Sequence, residues 1–277
     1  MIISKQEIAT LSQNIRRIID GQQVDLRDNR EGKLSILKND IHTLAGRLLE
    51  QAQQLEREKE ALRQTLADIS HQVKTPLTSM ALLIDLLADA PPEKQAELIA
   101  HLRMSLSRTE WLAAALLKLA KLESATVVFS PEPIAASALI ERAMKPLKIL
   151  LDIRGQTVTL TGDAPLFCDS RWTAEALTNL IKNAAEHSPE GGEIAISAGE
   201  NPLCGWICVK DAGQGIARAD RAKLFRRFEM PQSEHGYGIG LPLALAIVRE
   251  QNGDIEVESE EGRGAAFTMK LYKGREA

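Results

Sequence analysis

Four apolar residues, Leu48, Leu55, Leu62 and Ile69, recur at strict seven-residue intervals, and Ala52, Leu66 and Val73 supply much of a second row. Such a period draws a narrow apolar stripe along one helix, and that stripe is buried only against another helix. Between Ile41 and Leu87 the one proline is Pro76 and the one glycine is Gly46, while "EQAQQLEREKE" supplies a charged outer surface. The helix is expected to continue through "LTSMALLIDLLADA" and to stop at Pro91-Pro92. A second amphipathic run, "EKQAELIAHLRMSLSRTEWLAAALLKLAKLE", carries Leu98, Leu102, Trp111, Leu112, Leu116 and Leu119. Two long helices joined by a short proline-containing turn make an antiparallel hairpin. One hairpin leaves too much apolar surface in water; two hairpins paired as a four-helix bundle cover it, so a homodimer is expected.

After Ser124 the pattern changes. "TVVFSPEPI" reads as a strand, "AASALIERAMKPLKILLD" as a helix and "RGQTVTLTGD" as a strand. The helix "RWTAEALTNLIKNAAEHS", the strands "EIAISAG" and "GWICVKD", the helix "GLPLALAIVREQNG" and the strands "DIEVESE" and "AAFTMKLY" follow. The fold class is therefore multidomain, α and then α+β: a helical hairpin followed by a mixed sheet with helices on one side. Toward the amino terminus, "LSQNIRRIIDGQQ" is helix-like and stops at Gly21, and "DNREGKLSILKNDIHTLAGRLLE" starts a new helix. That region is either a signal-relay segment or an amphipathic tail.

A length of 277 residues suits about two domains. The net charge of −4 argues against a nucleic-acid partner, which calls for a basic face. Cys168, Cys204 and Cys208 lack the second ligand pair of a zinc site and read as reduced thiols. No stretch approaches the roughly 20 apolar residues of a membrane span, so the chain as it stands is expected to be soluble.

Four stretches carry chemistry. "TNLIKNAAEHS" places Asn179 and Asn183 on one helical face, where amide oxygens can hold Mg²⁺ together with phosphate oxygens; helix-surface amides are also common without any ligand. "DAGQGI" ends a strand with Asp211, a carboxylate able to accept from an exocyclic amine, and Gly213 and Gly215 permit tight turns; an ordinary strand-to-loop turn reads the same way. "HGYGIGL" sets Gly236, Gly238 and Gly240 before a helix, as a phosphate cradle does, without the surroundings of a dinucleotide fingerprint or the ending of a P-loop. "ISHQVKTPL" sets His71 in the long helix with Gln72, Thr75 and Pro76 beside it.

Taken together and in order, these stretches resemble the boxes of bacterial sensor histidine kinases. "NLIKNAAEHS" matches the N box, "DAGQGI" and "GYGIGL" the two glycine boxes, "LFRRF" the F box and "ISHQVKTPL" the H box, over roughly residues 45–275. The resemblance implies a dimeric four-helix bundle for histidine phosphotransfer, followed by an α/β-sandwich ATPase domain of the Bergerat fold. Residues 125–277 would then bind ATP, residues 45–124 form the coiled-coil linker and hairpin, and residues 1–44 a HAMP-like relay. It implies His71 as phospho-acceptor, Gln72 as its orienting neighbour with Asp68 one turn earlier, and Thr75 as a residue for dephosphorylating a partner response regulator. Asn183, assisted by Asn179, would hold Mg²⁺; Asp211 would bind adenine, and His187 would stack on it.

The sequence departs from the family at three positions. Gln72 stands where relatives place a carboxylate, and Glu186 and His187 stand where they often place a lysine and a tyrosine, so one phosphate contact lacks its usual lysine. The resemblance also implies a transmembrane sensor segment upstream of this chain and a place on the cytoplasmic side of the bacterial membrane. Two other classes remain at this point: a signalling scaffold with a degenerate nucleotide-binding domain, and an ATPase mechanoenzyme of the same superfamily, which the H box and hairpin disfavour.

Overall fold

The computed structural model describes residues 5–19, 24–26, 33–124, 126–229 and 238–274; Gly21 and Gly236 lie outside them. The chain divides into two compact units, Met1–Ile69 and Ser70–Ala277. The first holds helix α1, Lys5–Ile19, and the opening part of α2, Lys33–Ala88. Leu11 and Leu26 are buried there, but the seam residues Leu48, Leu55, Leu62 and Leu66 are 63, 65, 59 and 55% exposed. Among the described residues no helix covers this stripe, whose period suits packing against another helix. Among the described residues no helix is long and apolar enough to cross a membrane.

The second unit opens with the end of α2, which runs on as helix through Pro76. After the break at Pro91, α3 covers Pro92–Glu123 with proline at its first position, where a missing N–H costs the helix nothing. The distal half of α3 belongs to the core of the α/β body: Leu112, Ala115, Leu119 and Leu122, spaced along one face, are buried in the same cluster as its sheet and helices.

That body contains β1 (Glu132–Ala135), α4 (Ala136–Met144), a 3₁₀ turn (Lys145–Leu147), α5 (Lys148–Ile153), β2 (Thr157–Thr161), β3 (Pro165–Cys168) and α6 (Ser170–His187). It continues with β4 (Glu193–Glu200), β5 (Cys204–Lys210), the short α7 (Arg218–Arg221), α8 (Gly240–Arg249), β6 (Gly253–Ser259) and β7 (Ala265–Tyr272). Five strands form a mixed sheet in the order β2-β4-β5-β7-β6, with β2 parallel to β4 and the other pairs antiparallel; β1 and β3 form a separate antiparallel pair. Along β4, β5 and β7 buried residues alternate with half-exposed ones, and the buried face meets α4, α6 and α8. A helical hairpin followed by a two-layer α/β sandwich is the architecture expected from the sequence.

Two local expectations need correction. The strand expected over "TVVFSPEPI" is confined to Glu132–Ala135, because Pro131, just before it, has no N–H for a ladder; Val127 and Phe129 pack on the core without one. The helix expected over "AASALIERAMKPLKILLD" splits into α4 and α5 at the 3₁₀ turn containing Pro146, whose ring clashes with the preceding turn. Strand β3, a short "PLFC" lying between a turn and a helix cap, carries too few residues to show an alternation.

Candidate functional site

Helix α6 carries Asn179, Lys182, Asn183, Glu186 and His187 at spacings that repeat every three or four residues, so all five share a face. Its start is fixed by Asp169, whose Oδ1 accepts from the N–H groups of Arg171 (3.0 Å) and Trp172 (3.1 Å) while Oδ2 accepts from Ser130 N (3.0 Å). Burial pushes the Asp169 carboxyl up, but the N–H groups of Ser130, Trp172 and Arg171 together hold it below the usual carboxylate value. At the far end, Gln156 Nε2 donates to Ala185 O (2.9 Å) and Arg154 to Ser188 O (3.3 Å), taking up carbonyls that the last turn leaves open. The helix is thus pinned at both ends, and the face between them faces one cavity.

That cavity, about 400 Å³, is of a size for a small-molecule ligand. Asn179, Asn183, His187, Asp211, Gly215, Gly238 and Gly240 all line it, so residues that are far apart in the sequence are brought together. Asn179 Nδ2 donates to Glu175 O (2.9 Å), which leaves Oδ1 beside Gly240; a Cβ at Gly240 would sit 3.0 Å from that oxygen. Asp211 is 4% exposed, and its Oδ1 accepts from Gly213 N (2.9 Å) and Ala265 N (3.2 Å). Burial raises its pKa against the opposing pull of those N–H groups and of nearby His187. Gly213 stands outside the cavity lining but fixes its shape: any Cβ there would run into the carbonyl oxygen of His187.

Sequence reasoning missed several wall residues. Trp111, from α3, lines the cavity, and Lys182 Nζ lies 4.9 Å from its ring centroid. Glu186 pairs with Lys182 (3.6 Å). The four-residue step from Lys182 to Glu186 was visible in the sequence; the arrival of a tryptophan from a distant helix was not. Further along α3, Lys118 pairs with Glu175 (2.8 Å), and Glu123 pairs with Arg227 of the F-box stretch.

His71 is exposed on α2. The hydroxyl of Thr75, also exposed, donates to the His71 carbonyl (3.1 Å), the bond a threonine before a proline makes within its own helix. Pro76 is buried and Gln72 half-buried. Asp68 Oδ1 accepts from Gln64 Nε2 (3.0 Å).

The structure thus sets an exposed histidine on a helical hairpin, followed by an α/β sandwich with a cavity lined by glycines and helix-borne amides. Residues 61–125 match the His Kinase A (phospho-acceptor) domain, and residues 168–275 match the histidine kinase-, DNA gyrase B- and HSP90-like ATPase. The two matches, in this order, mark a histidine kinase core. It is 27% identical over 251 residues to the sensor-like histidine kinase SenX3 of Mycolicibacterium smegmatis, covering 87% of this chain and 65% of that one. With the sensor protein SrrB of Staphylococcus aureus it shares 29% over 223 residues, covering 75% of this chain and 37% of the relative. The chain therefore spans under two thirds of the length of these relatives. Among solved structures, the Acinetobacter baumannii histidine kinase AdeS superposes with a TM-score of 0.62 at 25% identity, covering 73% of this chain and 97% of that one. The histidine kinase ThkA, solved in complex with the response regulator protein TrrA, shares the fold (TM-score 0.65, 19% identity, 82% of this chain and 66% of that one).

Proposed function

We propose that this chain is the catalytic core of a two-component sensor: ATP phosphorylates His71, and the phosphoryl group then passes to an aspartate of a response regulator. The observation that carries this reading is the single cavity in which Asn179, Asn183, His187, Asp211 and the glycine loops converge within a domain of the ATPase family. Buried Asp211, with two N–H groups on one oxygen, keeps the other oxygen as an acceptor for the amine of adenine, and His187 supplies a ring at the same end. The donors also fit Mg²⁺, a hard cation that takes oxygen ligands: Asn179 has its amide nitrogen engaged and its oxygen beside Gly240, one turn from Asn183. When bound there, Mg²⁺ would neutralise phosphate charge.

In the transfer step the lone pair of His71 Nε2 forms the N–P bond, the bridging P–O bond breaks, and its electrons leave with ADP. Nδ1 keeps its proton throughout, so its partner must accept. We assign that role to the Gln72 amide oxygen, which orients the ring but cannot stabilise positive charge as a carboxylate does. Gln72→Ala should slow labelling and Gln72→Glu should sustain it; equal rates in all three proteins would remove the role. Thr75, one turn from His71, would position water for dephosphorylating the regulator, so Thr75→Ala should slow that reaction and spare labelling.

Residues 45–124 would serve as linker and homodimeric hairpin, residues 125–277 as the ATP-binding domain, and residues 1–44 as a relay from a membrane sensor upstream, which would hold the chain at the cytoplasmic face. The deciding experiment incubates the chain with radiolabelled ATP and Mg²⁺. The label should be acid-labile, alkali-stable and absent from His71→Gln. ATP binding with no label on the wild-type chain would favour the scaffold reading instead.

A further inference from the structure

Four carboxylates, Glu186, Asp211, Asp220 and Glu261, line the cavity, and among the described residues Lys182 is its one lysine or arginine. The sequence from Phe228 to Val248, the last residue but one of α8, also contains no lysine or arginine. A triphosphate entering this cavity brings several negative charges into an acidic wall, and Mg²⁺ cannot offset all of them. Lys182 is suitably placed to help. It lies on the cavity face of α6, next to Asn183, and two groups hold its ammonium: the Trp111 ring at 4.9 Å and Glu186 at 3.6 Å.

We infer that Lys182 is a phosphate-binding residue of the nucleotide site and that Trp111, reaching in from the hairpin, is its positioning residue. This rests on the nucleotide reading above and extends it to a residue of the hairpin helix α3. The cation usual at position 186 is replaced by Glu186, and the positive charge stands one helical turn earlier, at Lys182. Trp111 is fixed by its neighbours on α3: Leu112 is fully buried, and Ala115 and Leu119 follow it into the core. The seating of the hairpin on the ATPase body therefore sets where the ammonium stands, and with it the affinity for the phosphates. Glu186 holds the lysine but adds negative charge where phosphate must come. Its removal should tighten ATP binding, an effect opposite in sign to that of a lost structural contact.

The test is calorimetric titration of the full chain with ATP plus Mg²⁺ and, separately, with adenosine, which carries no phosphate. Lys182→Met keeps the alkyl stem over the tryptophan and should weaken ATP by about tenfold while changing adenosine by less than about twofold. Trp111→Ala should weaken ATP selectively in the same way, Trp111→Phe should restore most of the loss, and Glu186→Gln should strengthen ATP. Equal losses for ATP and adenosine, or unchanged ATP binding in Lys182→Met, overturn the lysine's role. Selective loss in Lys182→Met with none in Trp111→Ala overturns the hairpin's part. A wild-type chain that binds adenosine and ATP with Lys182→Met unaffected leaves the nucleotide reading standing. One that binds neither overturns that reading and this inference together.

Discussion

Asp211 sits where one carboxyl serves the fold and, under the proposed function, a ligand as well. Its Oδ1 is occupied by Gly213 and Ala265, and burial raises its pKa from the ordinary 3.8. The folded protein therefore holds the proton at pH values where the unfolded chain has released it. This group's contribution to stability is complete below the ordinary value and is lost as the pH rises through the raised one. Asp211→Asn should flatten that part of the curve when urea unfolding is followed across a pH series. It should also weaken adenosine binding, because one amide cannot accept from both neighbouring N–H groups and the adenine amine as the carboxylate does. An unchanged pH profile would show that the carboxyl titrates alike in both states.

Helix α6 shows what an element does for a site: it sets five side chains in one row and holds the row at both ends. Asp169 at its start ties two segments together, accepting from Ser130 as well as from the first turn. Asp169→Ala should cost about 1–2 kcal/mol in denaturant unfolding, and Asp169→Asn much less, since asparagine also caps. Because the Asp169 carboxyl titrates low, its stabilisation is present above the ordinary carboxylate pKa and is lost as the pH falls through the lowered one, a limb Asp169→Asn should lack. Elements of this kind were legible in the sequence because their signals are local: Asn179 and Asn183 share a turn, and Gly213 and Gly215 follow directly on a strand. The expected strand and helix failed where Pro131 and Pro146 override apolar pattern, a backbone effect that periodicity does not weigh. The meeting of Trp111 with Lys182 was illegible for another reason. As residues in two different elements they carry no shared spacing, and only the packing of α3 on the body brings them together.

At the scale of the molecule, the seven-residue seam and the α/β body are two kinds of surface. In the first unit, Leu55 and Leu62 stand exposed on α2, so a second copy of the chain is the partner their period suits. Replacing both with aspartate should shift the chain from dimer toward monomer in sedimentation velocity while leaving adenosine binding intact. A dimer that persists would assign the association to the hairpin alone. In the second unit, α3 buries Leu112, Ala115, Leu119 and Leu122 against the body, with Glu123–Arg227 and Lys118–Glu175 alongside. Any step that lifts α3 away must return that apolar face to water. Hydrating apolar surface raises heat capacity, so such a step carries a positive increment that ligand contacts within the cavity do not. Nucleotide binding measured at several temperatures thus becomes a gauge of the hairpin: a binding heat capacity near zero or positive reports release of α3, and a negative one reports that it has stayed seated.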